Sequence, residues 1–455
     1  MTLMDRVTAA GLCRTLTGFP DSPSASPSLS CQRRRDVGHL VLRATIASRN
    51  VNPPSRLEGD VHVVVVGIGA DGWGGLPERL RAVVQEASVL LGGARHLELV
   101  PGVEGQVRRT WPSPLRDVLP TLLEEYADQQ VVALASGDPL VSGIGTTLND
   151  LLGSDRVRIE PAVSSVALAR ARMGWSAESS TVVSVVGRDP HHVLRELAPG
   201  RRVLVLSSDA ETPAALASLL AEHGAGGSRL TVLGHLGSST ESRTTGLAAG
   251  WDATSPALNV VALEVDAPGL GWVAGLPDSA YEHDGQLTKQ DLRASALARL
   301  APRPGQLLWD VGAGAGSVGI EWMRAHPTCR AVAVEQHPER AERIAHNARR
   351  LGVPGLEVVQ GAAPDVLHGL PAPDAVFIGG GATREGVIEA CLAALAPGGR
   401  LVAHGVTMET EVALADRMTK HGGELVRLSV ERAEPLGDFT GWTPARTVTQ
   451  WSLEA

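Results

Sequence analysis

The chain has 455 residues and a formal net charge of −9, and 43% of its residues are hydrophobic. This length allows two or three domains, the composition is that of an ordinary soluble globular protein, and the negative charge argues against a nucleic-acid partner. Cys13, Cys31, Cys329 and Cys391 show no metal-ligand spacing, so we expect reduced thiols, no metal site and a cytoplasmic location. No hydrophobic run is long enough for a membrane span.

Residues 1–58 differ from the rest of the chain. Serines occupy alternating positions from Ser22 to Ser30, and a run of three arginines follows at 33–35. No helical or strand period is sustained here. We therefore predict a disordered leader and leave it out of the fold.

Residues 59–265 predict an α/β domain with two halves. Short hydrophobic runs that end in Gly, Ser or Asp alternate with helical patterns, which is typical of an α/β sheet whose ligand edge lies at the strand C-termini. Strands are predicted at 63–66, 89–91, 131–135, 157–159, 181–187, 202–206, 230–233 and 259–263. Helices are predicted at 77–86 and 212–223, and a further helix follows the turn at 160–165 and ends at residue 173.

A Gly/Pro-rich stretch at 266–283 fits a linker, and a second domain is predicted at 284–455. Its helices are expected at 287–300, 317–324, 339–351 and 385–395. Its strands are expected at 307–311, 331–334, 356–359, 374–378, 400–403, 425–430 and 447–453. The pattern predicts a seven-stranded, mostly parallel, doubly wound sheet.

The clearest functional signal runs from Leu307 to Glu335. A hydrophobic strand enters a glycine cluster, a helix follows, and the next strand ends in the acid Glu335. Glycines let backbone N–H groups approach a ligand, and an acid at this position can accept hydrogen bonds from ribose hydroxyls. The unit is thus expected to bind a nucleoside-containing cofactor.

The spacing Gly314-x-Gly316-x-x-Gly319 also satisfies the dinucleotide fingerprint, so a nicotinamide cofactor and a purely structural turn stay open. S-adenosylmethionine (SAM) is favoured because the glycines begin earlier, at Gly312, after the strand-end acid Asp310. Such an acid suits an ammonium group and would repel a pyrophosphate. Together with the turn at 397–399, this pattern resembles class I SAM-dependent methyltransferases.

The first domain resembles the tetrapyrrole methylase family, which has a two-lobed class III SAM methyltransferase fold. The resemblance rests on Val66 to Gly69, Ala135 to Pro139, Pro161 to Ser165, Ser184 to Arg188, Asp209 to Ala214 and Leu230 to Leu233. Ala162 and Ala70 depart from the usual Gly and Pro of the family. These departures put the shape of the two loops in question, but they remove no reactive side chain.

The second domain resembles the small Rossmann-like class I methyltransferase of cobalamin biosynthesis. The resemblance rests on Asp284 to Lys289, the glycine loop, Glu335, Gly361 to Pro364 and Phe377 to Gly381. Ala362 stands where relatives often have Asp. The order of the two domains resembles the fused precorrin-6Y C5,15-methyltransferase (decarboxylating) family. This resemblance implies a tetrapyrrole substrate, methylation at two meso carbons and loss of an acetate carboxyl group.

Under this resemblance, two sets of residues are expected to bind SAM. In the first domain they are Gly67, Gly69, Ser136, Gly137, Asp138, Ser164 and Ser165. In the second they are Thr288, Gly312, Ala313, Gly314, Ala315, Gly316, Glu335 and Ala363. The alternative for Asp138 is a role in its own turn, for Thr288 a helix N-cap, and for Glu335 a solvated acid. Catalytic residues stay unassigned, because methyl transfer from a sulfonium needs mainly alignment.

Other candidates are less specific. Gly379-Gly380-Gly381 could let the backbone approach a flat macrocycle, Arg384 and Arg400 could bind substrate carboxylates, and His404 could carry a proton. The adjacent pair His191-His192 does not suit a metal.

Three functional hypotheses remain: a bifunctional methyltransferase and decarboxylase, a nicotinamide-dependent oxidoreductase, and a SAM-binding protein with one silent domain. The resemblance also implies a homo-oligomer.

Overall fold

A computed structural model describes residues 62–454, so the predicted leader at 1–58 lies outside the described residues. The first part of the described chain forms a five-stranded, all-parallel sheet in the order β3-β2-β4-β1-β5. Its strands are β1 (Val63–Ile68), β2 (Val89–Gly92), β3 (Val107–Thr110), β4 (Val131–Ser136) and β5 (Val157–Glu160). Its helices are α1 (Glu78–Glu86), α2 (Ala94–Glu98), α3 (Leu115–Glu124), α4 (Ile144–Leu152) and α5 (Ser165–Met173).

A second five-stranded sheet follows, in the order β6-β7-β10-β8-β9, and only its β6–β7 pair is parallel. Its elements are β6 (Thr181–Ser184), β7 (Arg202–Leu206), α6 (Thr212–Glu222), β8 (Arg229–Gly234), β9 (Ser242–Leu247) and β10 (Asn259–Glu264). The strand predicted for 181–187 is too long, because the chain turns at Gly187, where φ is +62°. The two edge strands β3 and β9 were not predicted, since most of their side chains are exposed and form no hydrophobic run.

The third sheet has seven strands in the order β13-β12-β11-β14-β15-β19-β16, and only β19 runs antiparallel to its neighbours. Its strands are β11 (Leu307–Val311), β12 (Arg330–Glu335), β13 (Glu357–Gln360), β14 (Ala375–Ile378), β15 (Arg400–Gly405), β16 (Glu424–Leu428) and β19 (Val448–Glu454). Strands β17 (Glu431–Leu436) and β18 (Phe439–Pro444) form an unpredicted hairpin. The helices are α7 (Gln290–Leu300), α8 (Ser317–Ala325), α9 (Pro338–Arg350), α10 (Val387–Ala394) and α11 (Met408–His421). The predicted mostly parallel seven-stranded sheet is confirmed.

Alternation along β11 explains why helices cover both faces of this sheet. Leu308 faces a core that includes Trp322 and Ile344 from α8 and α9. Its neighbours Leu307 and Trp309 face a second core with residues of α10 and α11. Since successive side chains of a strand point to opposite faces, a strand buried on both sides reads as one continuous hydrophobic run.

The segment predicted as a linker, 266–283, packs into the second domain near its end. Leu276 and Tyr281 are each 4% exposed. The carboxylate of Glu321 on α8 accepts hydrogen bonds from Gly275 N at 2.6 Å, Leu276 N at 3.0 Å and Tyr281 Oη at 2.8 Å. Its charge is matched by the buried Arg293, whose Nε lies 2.5 Å away.

Arg293 also fixes the chain just before α7. Its guanidinium donates to the carbonyl oxygens of Leu276 and Thr288. These bonds hold residues 276–288 in a loop, so the helix predicted from Leu287 begins only at Gln290. The ion pair thus positions Thr288, one of the residues expected at the cofactor.

We expect Glu321→Ala to destabilise the second domain by about 3 kcal/mol, because the change removes the nearest countercharge of the buried Arg293 and leaves it Asp278, 3.4 Å from its Nη1. Chemical denaturation followed by circular dichroism would measure this loss. Glu342→Ala, at an exposed position of α9, is the matched control. Equal stability of the two variants would show that the buried network contributes nothing net.

Candidate active sites

A cavity of about 930 Å³ opens at the carboxyl ends of β11, β12, β14 and β15. This is the edge where parallel α/β sheets bind ligands, because loops leave the sheet in both directions there. Loop residues that follow the strands line the cavity at 312–314, 335–336, 361–363 and 379–381. Residues 285–289, which precede α7, line it as well.

The glycine loop brings three backbone segments close together. Gly312 has φ +68°, and a Cβ there would lie 2.9 Å from Gly380 N. Gly314 has φ +61°, and a Cβ there would lie 2.7 Å from the carbonyl oxygen of Gln286. Only glycine adopts this backbone without strain and leaves room for its neighbours. Side chains at these positions would collide with the neighbouring backbone, so the close packing of this loop requires glycine.

Glu335 ends β12 beside this loop and is 4% exposed. One carboxylate oxygen accepts a hydrogen bond from Gly314 N at 2.9 Å, and the other accepts one from His337 N at 3.0 Å. Each oxygen can accept a further hydrogen bond, as two adjacent ribose hydroxyls would require. Glu335 is thus a buried, oriented acceptor, and the alternative of a solvated acid is wrong.

The structure brings most of the predicted residues of this domain together. Thr288, Gly312, Ala313, Gly314, Glu335 and Ala363 line the cavity. Ala315 and Gly316 lie behind it. The carbonyl oxygen of Ala315 accepts a hydrogen bond from Asn347, and a Cβ on Gly316 would lie 2.7 Å from Ile344. These two residues fix the loop against α9. The N-cap alternative for Thr288 is wrong, since Lys289 holds that position.

The expectation that Asp310 suits a ligand ammonium is wrong. Asp310 is 1% exposed, does not line the cavity, and accepts a hydrogen bond from Gly319 N at 2.8 Å. Its other oxygen has no partner among the described residues. Burial, and to a smaller extent the nearby Glu335, raise the pKa of Asp310 to about 7. The carboxyl group holds α8 against the strand.

This raised pKa predicts a pH dependence of stability. The folded state binds the proton more tightly than the unfolded state, where the pKa is about 3.9. The stabilisation by protonated Asp310 is therefore complete below about pH 4 and is lost as the pH rises through about 7. We expect the free energy of unfolding of Asp310→Asn to fall less over this range than that of the wild type, by about 3 kcal/mol. Denaturant unfolding at several pH values measures the difference, and parallel curves would contradict it.

The cavity rim is rich in cations. Lys289, Arg340, Arg384, Arg432 and Arg446 all contribute to its lining. Of these, sequence reasoning found only Arg384, because the others are separated in sequence and lie on different elements. Three of them have acidic partners: Lys289 pairs with Asp278, Arg340 with Asp284 and Arg432 with Asp291. Within residues 62–454, Arg384 and Arg446 form no ion pair, so these two can attract ligand carboxylates even though the whole chain is acidic.

Arg400 does not belong to this rim, so its predicted role toward substrate carboxylates is wrong. It is 4% exposed and donates to the carbonyl oxygen of Ala301 at 3.0 Å and to the side chain of Gln306. His404 does line the cavity, and its Nε2 lies 2.9 Å from the side-chain amide of Gln450. Burial lowers the pKa of His404 to about 4, so the ring is neutral at pH 7.

A second cavity, of about 510 Å³, lies between the first two sheets. The C-terminal ends of β1 and β4 and the start of α5 form one side. The ends of β7 and β8 and the start of β10 form the other. Six of the seven residues expected to bind SAM in this domain line it: Gly69, Ser136, Gly137, Asp138, Ser164 and Ser165.

Gly67 lies behind this cavity. A Cβ there would lie 1.9 Å from the carbonyl oxygen of Gly137 and 2.7 Å from Ala162 N. The loop after β4 therefore rests directly on Gly67. The residue shapes the site from below and does not line the cavity.

Two of the lining side chains also stabilise local structure. Ser164 is the N-cap of α5 and accepts a hydrogen bond from Ala167 N at 3.1 Å. Asp138 accepts one from Leu140 N at 2.9 Å, as in the alternative that assigns it to its own turn. Both residues also line the cavity.

Sequence reasoning missed Arg95 and His96 in this cavity. They lie on the short helix α2, which follows the glycines at the end of β2. The side chain of Ser136 lies 3.0 Å from Arg95 Nη2 and 2.8 Å from His96 Nε2. The only available signal was their place directly after a strand end.

The described chain shows neither a metal-binding cluster nor a membrane-spanning helix. Between residues 62 and 454, no group of three His, Cys, Asp or Glu side chains is arranged to hold a metal ion. Within the same range, every helix is too short or too polar to cross a membrane. His191 contacts Asp189 at 2.6 Å, which accounts for one member of the histidine pair.

Comparison with known proteins places two families on this chain. Residues 62–250 match the model for tetrapyrrole (corrin/porphyrin) methylases. Residues 279–455 match the model for the precorrin methyltransferase domain.

Curated relatives match across both regions. A precorrin-6Y C(5,15)-methyltransferase [decarboxylating] of a Sinorhizobium species is 48% identical over 396 residues, which is 86% of this chain and 95% of the relative. A protein of the same description from Mycobacterium tuberculosis is 46% identical over 86% of this chain and 99% of the relative. The solved C-terminal domain of precorrin-6Y C5,15-methyltransferase from Rhodobacter capsulatus is 45% identical, with a TM-score of 0.39 over 41% of this chain and 100% of that one.

Proposed function

Because the chain belongs to the precorrin-6Y C5,15-methyltransferase (decarboxylating) family, we propose that it methylates a precorrin at C5 and C15 with SAM as methyl donor. In this proposal the acetate side chain at C12 loses its carboxyl group, and the product is a precorrin-8 of corrin synthesis. The first domain, at 59–265, methylates C5. The second, at 284–455, methylates C15 and decarboxylates, and residues 266–283 join the two.

The observation that carries the proposal is the pair of cavities. Each lies at strand C-termini, and each has a glycine loop that allows a close backbone approach. Two methyl transfers to one macrocycle need two such sites or one site used twice. The chain offers two, built on different folds, which supports one methyl transfer at each.

The cavity of the second domain suits SAM because of the residues that line it. Glu335 offers two carboxylate oxygens to ribose hydroxyls, and the loop at 312–314 leaves no room for side chains. Ala363 and Thr288 also line this cavity. In this proposal Ala363 lies beside the adenine and Thr288 lies over the cofactor. When bound, SAM supplies a methyl group that its sulfonium has already activated.

The residues of this chain then have to bind the substrate, orient it toward the methyl group and exclude water. The segment at 285–288, held by Arg293, covers the glycine loop and narrows the access of water to it. At the rim, Arg384 and Arg446 can bind the acetate and propionate carboxylates of a precorrin and thereby fix the ring position. Correct alignment of a carbon nucleophile with an activated methyl can account for several kcal/mol of the rate enhancement.

The lead experiment uses the full chain, isotopically labelled SAM and precorrin-6Y-type substrate under anaerobic conditions, with mass spectrometry of the product. The proposal predicts two labelled methyl groups and the loss of one carboxyl group. A single labelled methyl would instead support a chain with one silent domain. Binding of NAD(P) without binding of S-adenosylhomocysteine would favour the oxidoreductase hypothesis.

The family resemblance also supports a cytoplasmic homo-oligomer. The β17–β18 hairpin carries Leu436, Phe439 and Trp442, which are 69%, 80% and 73% exposed. Large exposed apolar side chains of this kind are commonly covered by another subunit. Light scattering of the full chain tests the oligomer, and a monomer at micromolar concentration would contradict it.

A further inference from the structure

We propose that Arg95, held by Ser136 and His96, forms a carboxylate-binding subsite in the cavity of the first domain. The inference rests on the proposed function, because it assigns a role to the same cavity. The carboxylate would belong either to the amino-acid part of SAM or to a side chain of the tetrapyrrole.

The position of Arg95 is the first observation. Its Nη2 lies 2.9 Å from His96 Nε2 and 3.0 Å from Ser136 Oγ. Ser136 ends β4 and Arg95 follows β2, and these strands are parallel neighbours, so both side chains reach the same sheet edge. Ser136 and its neighbour Gly137 also line the cavity, so the guanidinium lies beside the predicted cofactor loop.

The absence of a countercharge is the second observation. Three arginines of this lobe have acidic partners: Arg79 pairs with Glu160, Arg109 with Glu125 and Arg116 with Asp150. Arg81 and Arg108 donate to backbone carbonyl oxygens and do not line the cavity, whereas Arg95 does line it. Within residues 62–454, no Asp or Glu forms an ion pair with Arg95, and its Nε and Nη1 atoms have no hydrogen-bond partner. Desolvation lowers the pKa of Arg95, yet the guanidinium remains charged at neutral pH because the pKa of an arginine side chain lies far above 7.

The neutral partners of Arg95 are the third observation. Burial and the adjacent Arg95 charge lower the pKa of His96 to about 4, so its ring is neutral at pH 7 and Nε2 accepts from the guanidinium. Ser136 Oγ is also uncharged. Both partners therefore orient Arg95 without neutralising it, and the charge remains available to a ligand.

The chemistry of the cavity selects the ligand. Asp138 is the only acid among the described lining residues, and one of its oxygens accepts from Leu140 N. Most other lining residues are apolar, including Trp111, Leu115 and Val141. Arg95 is exposed to solvent as well as lining this cavity, so an anion can reach its guanidinium. Guanidinium groups bind carboxylates through short, charge-assisted hydrogen bonds.

The test is calorimetric binding of two probes, S-adenosylhomocysteine and anaerobic precorrin-6B, to the full chain and to Arg95→Gln. Every protein in the test carries Glu335→Ala, so that binding of S-adenosylhomocysteine is expected to report on the first domain. We expect the variant to bind one of the probes at least about tenfold more weakly. Arg116→Gln, which removes an exposed arginine of the same lobe, should bind both probes like the parent.

The probe that is affected identifies the source of the carboxylate. Weaker binding of S-adenosylhomocysteine, with an unchanged affinity for 5′-methylthioadenosine, assigns the subsite to the cofactor. Weaker binding of the precorrin alone assigns it to the substrate. Unchanged affinity for both probes overturns the subsite while leaving the proposed function intact. If the parent binds neither probe, the proposed function of this domain and the subsite fail together.

Arg95→Lys is the control for a loss of folding in Arg95→Gln. It keeps the charge and loses the planar donor array, so its affinity should lie between those of the parent and Arg95→Gln. A melting temperature equal to that of the parent shows that each variant folds. If Arg95→Gln does not fold, the lysine variant carries the test, and parent-like binding by it then counts against the subsite.

Discussion

Glu335→Ala is expected to remove the second cofactor site while the first remains active. The variant loses the acceptors for two ribose hydroxyls and also those for Gly314 N and His337 N, so the glycine loop loses its anchor. Charge-assisted hydrogen bonds contribute about 1.5–3 kcal/mol each, so two of them correspond to a loss of about 100-fold or more in affinity. Titration with S-adenosylhomocysteine should give two sites in the wild type and one in the variant.

The product distinguishes this effect from general damage. Labelled SAM should yield a precorrin with one labelled methyl at C5 and an intact C12 acetate. Glu335→Gln keeps one carbonyl acceptor and should lose less affinity. Glu357→Ala changes an exposed glutamate on the adjacent strand β13 and should leave both sites unchanged. Two full-affinity sites in Glu335→Ala would refute the assigned role of Glu335.

Gly67→Ala is expected to have the converse effect on the first domain. The new Cβ would lie 1.9 Å from the carbonyl oxygen of Gly137, well inside any van der Waals contact. The loop at 136–138 must move, and with it Ser136, Gly137 and Asp138, all of which line the cavity. Because misplacement by about 1 Å can reduce a rate by about 100-fold, we expect C5 methylation to fall by at least that factor.

The matched control is Gly74→Ala, in the same lobe, where a Cβ would meet no atom within 4 Å. The control should retain two cofactor sites, whereas Gly67→Ala should retain only the site of the second domain. Thermal melting shows whether the first lobe remains folded. Normal C5 labelling by a folded Gly67→Ala variant would mean that the loop adapts without affecting the site.

Local patterns in the sequence determined much of the fold. Buried strands such as β11 and β14 read as continuous hydrophobic runs, because both of their faces are covered. The glycine loop and Glu335 were recognisable because their geometry depends on residue type within one strand–loop–helix–strand unit. The seven-stranded sheet and both cavities therefore lie where the sequence predicted a ligand edge.

Tertiary structure alone decided the features that depend on strand order or on side-chain direction. The hairpin β17–β18 and the edge strands β3 and β9 carry few buried side chains, so the hydrophobic pattern did not reveal them. Asp310 is only two residues before the glycine loop, yet its side chain points into the sheet face beneath α8. Sequence spacing does not record that direction.

Contacts between residues that are far apart in sequence were also not predictable from local patterns. Arg400 contacts Ala301, 99 residues away, and so becomes part of the core instead of the substrate site. Arg95 reaches Ser136, 41 residues away, only because β2 and β4 are neighbours in the sheet. The sequence by itself determined the buried strands and the glycine turns, since these follow from local residue types. The tertiary structure decided which charged side chains meet, because strand order brings together residues that no local pattern connects.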